Sequence, residues 1–102
     1  MVKLVALWGR IRDENAQEGF VVEYLQDHIP LVDKVPGITS VSLSYIPNGQ
    51  YSRLAELYFS DVSSLQLALS SPEGKTLVDH SKTLIDKYGV TLTNFIAVEE
   101  NH

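Results

Sequence analysis

"ITSVSLSYIPNGQYSRLAELYF", Ile38–Phe59, is the stretch that decides the fold. Two runs rich in β-branched and aromatic residues flank Pro47-Asn48-Gly49. Asn-Gly tolerates the positive φ of a tight turn, so the segment reads as a β-hairpin with strands Ile38–Ile46 and Tyr51–Phe59. In the second strand Ala55, Leu57 and Phe59 share one face, and Leu54, Glu56 and Tyr58 share the other.

Two more strands lie outside the hairpin, Val2–Trp8 and Val90–Val98. Between the first strand and the hairpin, Glu14–His28 has helical spacing, with Ala16, Phe20, Tyr24, Leu25 and His28 on one face. After the hairpin, Ser60 or Asp61 caps a helix carrying Val62, Leu65, Ala68 and Leu69. Ser71 caps the next, with Pro72 at its first position and Glu73 favouring the positive end of its dipole. Leu77, Ser81, Leu84 and Tyr88 form one stripe along it, and Gly89 ends it. The order strand, helix, strand, strand, helix pair, strand predicts a single α+β domain over residues 1–102. Its expected form is the ferredoxin-like split β-α-β-β-α-β arrangement, a four-stranded antiparallel sheet with helices on one face.

The other face of that sheet is too apolar for water. Val5 and Leu7 oppose Val2, Leu4, Ala6 and Trp8 in the first strand, and Phe95 and Ala97 oppose Ile96 and Val98 in the last. A sheet with one wet face alternates cleanly between apolar and polar. A second copy of the chain, packed sheet to sheet, is the expected remedy, and it leaves space for a pocket between sheet and helices.

Composition narrows the function. The chain carries 8 Lys and Arg against 13 Asp and Glu, a net charge of −5 at pH 7. It has no basic stripe to neutralise phosphates or to bind an anionic membrane surface, so no nucleic-acid or membrane partner is expected. There is no cysteine, which excludes disulfides, thiol catalysis and thiolate metal sites. The first apolar run, "MVKLVALWGR", breaks at Gly9-Arg10, too soon for a membrane span or a signal peptide, and a soluble cytoplasmic protein is expected. His28, His80 and His102 show no metal-ligand spacing, no glycine-rich phosphate loop follows the first strand, and the serines of "DVSSLQLALSSPEG" lack a nucleophile elbow. No metal or cofactor is therefore expected.

The segments "MVKLVALW", "YLQDHIPLVDKVPGI", "AELYFSDVSSLQLALSSPEGKTLVDH" and "GVTLTNFIAVEE" together resemble the EthD family, in order and over nearly the whole chain. The His28-x-Pro30-Leu31 pattern is the most specific part. The resemblance implies a homodimeric α+β barrel, each subunit ferredoxin-like. It belongs to a superfamily that includes muconolactone isomerase, cofactor-independent monooxygenases, chlorite dismutase and polyketide-processing enzymes. Such a range means that fold alone does not name a reaction.

His28 has two readings. It closes a helix, satisfying terminal carbonyls and complementing the dipole, or it faces an apolar pocket as a neutral acid/base group. Tyr24, one turn earlier, would orient a polar substrate atom or simply pack in the core. Trp8, Glu56 and Tyr58 are candidate pocket residues, with Tyr45, Phe59 and Phe95 as further aromatic walls. Three functions stay open: a cofactor-independent catalyst acting on a small apolar or aromatic molecule, a binding protein for such a molecule, and a structural homodimer.

Overall fold

A computed structural model describes residues 1–101; His102 lies outside the described residues. The elements are β1 (Val2–Gly9), α1 (Glu14–Glu23), a π-helical turn (Tyr24–His28), α2 (Ile29–Val32), β2 (Ser40–Tyr45), β3 (Tyr51–Phe59), α3 (Val62–Ser70), α4 (Pro72–Tyr88) and β4 (Leu92–Val98). The four strands form one antiparallel sheet in the order β2-β3-β1-β4. This is the ferredoxin-like arrangement expected from the hairpin and its flanks.

Capping fixes the helix boundaries. Asp13 accepts from the Ala16 amide, Asp61 from Ser64 and Ser71 from Gly74, so each helix longer than one turn begins on a side-chain acceptor. Asp61, rather than Ser60, caps α3, and the Ser64 amide holds its carboxyl below the usual range. Gly89 adopts φ 67° and stops α4 in the left-handed region, where a side chain would be strained.

One helix differs from the sequence reading. Residue 28 is not an end: the backbone passes through His28 into another turn, Ile29–Val32, that contains Pro30. Proline lacks an amide hydrogen, and its ring crowds the carbonyl four residues back. The π turn widens the winding before it, and the Ile29 amide donates to the Tyr24 carbonyl. His28 is therefore held inside the helical stretch and is only 5% exposed. Leu25, placed on the inner face by helical spacing, is half exposed.

Strand register sorts the side chains between the two faces. Leu4 pairs with Leu57, Ala6 with Ala55 and Trp8 with Arg53, all toward the helices. Val5 pairs with Glu56 and Phe95, and Leu7 with Leu54 and Thr93, all away from them. Under the helices the core has two parts. Val2, Val32, Leu57, Phe59, Leu65 and Leu77 belong to an aliphatic half, and Trp8, Phe20, Tyr24, Leu84 and Val90 form an aromatic half.

Candidate functional site

Between the sheet and the helices lies a cavity of about 60 Å³. Trp8 from β1, Tyr24 and His28 from the π turn, Ala55 and Leu57 from β3, and Ser81 from α4 contribute to its wall. It sits at the seam of the two core halves. Aliphatic groups supply one side and aromatic rings the other.

The aromatic side is an interlocked stack. Tyr24 lies parallel to His28 and to Phe20, with centroids 5.8 Å and 5.5 Å away, and Trp8 presents its ring edge-on to His28 at 5.4 Å. Such packing restricts the rotamers of Tyr24 and His28, so the cavity wall is rigid at its polar points. The Tyr24 hydroxyl is buried and has no hydrogen-bond partner among the described residues. Burial raises its pKa to about 12, so it stays protonated. Leaving such a hydroxyl unpaired costs about 1–3 kcal/mol, a cost that a ligand acceptor would offset.

His28 is tied from behind. Its Nδ1 lies 2.8 Å from Nδ1 of His80, with the ring planes 28° apart. The Nε2 of His80 is 3.2 Å from a Glu23 oxygen, and the other oxygen of Glu23 accepts from Lys87 Nζ at 2.7 Å and from the Tyr88 hydroxyl at 2.8 Å. Burial, with His80 second, lowers the His28 pKa to about 4, so its imidazole is neutral near pH 7. Lys87 and then Tyr88 hold the Glu23 carboxyl below its ordinary range, so it is ionised there.

Sequence spacing does not announce Glu23 and His80. His80, Lys87 and Tyr88 fall at i, i+7 and i+8 on α4, which puts them on one face, and that face meets the end of α1. Gly19 makes the approach possible, because a Cβ there would lie 2.9 Å from Cε1 of Tyr88. The one signal available is that stripe, ending on a glycine-bearing helix. The groups form a line, with Glu23 on the far nitrogen of His80, so they do not surround a common point as metal ligands must.

The other expected residues part company. Trp8 lines the cavity. Glu56 and Tyr58, expected beside the ligand, lie on the opposite face of the sheet, because strand alternation carries them away from Ala55 and Leu57. There Glu56 accepts from Lys3 at 2.7 Å, and Tyr58 borders a separate depression with Met1, Lys3 and Ala97. Phe59 is buried in the aliphatic half, Phe95 is on the outer face, and Tyr45 is exposed at the sheet edge beneath the Arg53 guanidinium. Arg53 faces the helices opposite Trp8, and its buried Nε also lacks a partner.

The chain matches no family model and no curated protein. Solved structures do match. An ethyl tert-butyl ether D (EthD) family protein from Bacillus halodurans C-125 is 30% identical to it, over 98% of this chain and 99% of that one, with a TM-score of 0.87. The protein belongs to the EthD family. Its fold is also shared by SnoaB, a cofactor-independent oxygenase from Streptomyces nogalater, at 14% identity over 99% of this chain and 94% of that one, TM-score 0.65. A dimeric protein of unknown function from Bacteroides fragilis, described as ferredoxin-like, matches at 12% identity over 92% and 93%, TM-score 0.61. Among the described residues no helix of this EthD protein is long and apolar enough to cross a membrane.

Proposed function

We propose that this EthD protein is a cytoplasmic, homodimeric, cofactor-independent catalyst acting on a small, uncharged, largely apolar molecule that bears a carbonyl or hydroxyl group. His28 is its acid/base residue and Tyr24 its donor to the ligand oxygen. The observation that carries this reading is the apolar cavity lined by the neutral imidazole of His28 and by Tyr24, whose buried hydroxyl has no partner among the described residues. A donor beside an acceptor suits a carbonyl with an acidic neighbouring C–H: Tyr24 stabilises the developing oxyanion while His28 takes the proton. In SnoaB the same fold serves a cofactor-independent oxygenase.

Volume restricts the ligand. An apolar cavity that admits benzene measures about 150 Å³. At about 60 Å³ the present cavity holds a few heavy atoms, so an aromatic ligand would extend beyond it. The second copy covers the outer sheet face, where Leu7 and Leu54 are part-exposed and Phe95 is 46% exposed.

A binding protein without turnover is the second reading, favoured by the low basicity of His28. Both are tested by incubating the protein with small enolisable ketones in deuterated water. The expected result is α-hydrogen exchange that falls by about 100-fold or more in His28→Ala, with the fold retained. Tyr24→Phe is expected to weaken ligand binding. Ketone-induced stabilisation without exchange establishes the binder. Absence of both, for ketones and for small phenols, overturns the site.

A further inference from the structure

We infer that His80 and Glu23 are positioning residues that hold His28 as its Nδ1–H tautomer and receive its proton on the side away from the cavity. This rests on the reading of His28 as the base of the site and adds the machinery behind it. Both oxygens of Glu23 are committed: Oε1 accepts from Lys87 and Tyr88, leaving Oε2 to face His80. An ionised carboxylate only accepts, so Nε2 of His80 carries the hydrogen. With that single hydrogen, His80 offers a lone pair on Nδ1, which takes the hydrogen of His28 Nδ1, 2.8 Å away. The unprotonated nitrogen of His28 is therefore Nε2, which has no bonding partner within the described residues and belongs to a ring that lines the cavity.

The same line moves a proton. His28 Nε2 takes a proton from a C–H or O–H of the ligand, whose electron pair remains on the ligand as an enolate or phenolate. The Nδ1 hydrogen of His28 passes to Nδ1 of His80, making an imidazolium whose Nε2–H faces the Glu23 carboxylate. Reverse transfer restores the starting state, and no oxidant or reductant is consumed. The path runs from His28, 5% exposed, to His80, whose side chain is 18% exposed and faces the Glu23 carboxylate. A base enclosed at pKa about 4 is weak by itself, and the carboxylate beyond His80 is where the positive charge is stabilised.

The titratable and charged groups about His28 are Tyr24 on its own turn, His80 from α4, Glu23 and Lys87 beyond that, and Arg53 from the sheet by way of Tyr24. The substitution Glu23→Gln discriminates among them. Lys87 and Tyr88 select the amide oxygen at the Oε1 position, so the NH₂ group is turned toward His80. That donor reverses the hydrogen on His80 and in turn on His28, changing the cavity-facing Nε2 from acceptor to donor.

Nitrogen-15 NMR of histidine-labelled full-length protein near pH 7.5 reads the tautomers directly. The expected wild-type pattern is Nδ1–H for His28 and Nε2–H for His80, with the protonated and unprotonated signals exchanged at both residues in Glu23→Gln. Lys87→Met is expected to leave the wild-type pattern in place, since it does not touch the His80 contact. A wild-type His28 carrying hydrogen on Nε2, or tautomers indifferent to Glu23→Gln, overturns the inference; should Glu23→Gln fail to fold, the wild-type spectrum alone decides. Because this measurement needs no ligand, it can fail while the ketone-exchange test of His28 succeeds, and the reverse also holds.

Discussion

On one face of the sheet Leu4, Ala6, Ala55 and Leu57 face the helices and the cavity; on the other Val5, Leu7, Leu54 and Phe95 face away from the helices. Both faces are apolar, yet their polar groups are treated differently. Inside, the hydroxyl of Tyr24 is left unpaired and the imidazole of His28 is neutral, wired through His80 to a carboxylate. Outside, Lys3 and Glu56 neutralise one another at 2.7 Å, and the Glu56 bond raises the lysine pKa. A buried polar group without a partner is held at a cost and suits a ligand, whereas a paired surface charge amid apolar side chains suits an interface rim. On this contrast rests the proposal of chemistry on the covered face and assembly on the bare one.

The contrast is most severely tested by removing its packing. Phe59→Ala, in the aliphatic half under the helices, is expected to lower unfolding free energy by about 3–5 kcal/mol in urea titrations. A loss no larger than that of a surface site would show that the covered face is not the core. Next in size is the response to acid. Unfolded, His28 titrates at its ordinary 6.5; folded, at about 4. Between those values the unfolded chain binds more protons, so stability is full above about pH 6.5 and falls by about 3 kcal/mol as pH approaches 4. His28→Leu is expected to flatten that window. Glu23, with its folded pKa lowered from 4.5, contributes a separate loss confined to more acidic solution. Smallest in its effect on the single subunit is Phe95→Glu, at a position 46% exposed. It is expected to leave subunit stability within about 0.5 kcal/mol while converting a dimer to monomer in light scattering. A monomeric wild type would dissolve the comparison.

How far the sequence discloses this molecule depends on the range of the contact. Strand alternation in "AELYF" puts Ala55 and Leu57 inward and Glu56 and Tyr58 outward, since period two is a property of the local backbone. The same parity could have removed Glu56 and Tyr58 from the pocket, had the helix side been fixed first by Trp8 and Ala6. Helix starts are equally local, and Asp13, Asp61 and Ser71 mark them. The helix through His28 is misread because Pro30 looks like a stop, whereas a wider turn absorbs the missing donor. Glu23 and His80 meet across 57 residues of sequence, and only the packing of α1 on α4 supplies that contact.

That wider turn has a consequence of its own. The buried residues Phe20, Tyr24, His28 and Val32 recur every fourth position. Ordinary α winding advances such a series about 40° per step, enough to swing its last member well off the sheet. One underwound turn retards the advance and keeps imidazole, phenol and valine in phase. The site is thus encoded partly in residue count: shortening the exposed side of this turn by one position would leave every side chain described here in the chain and still aim the histidine elsewhere.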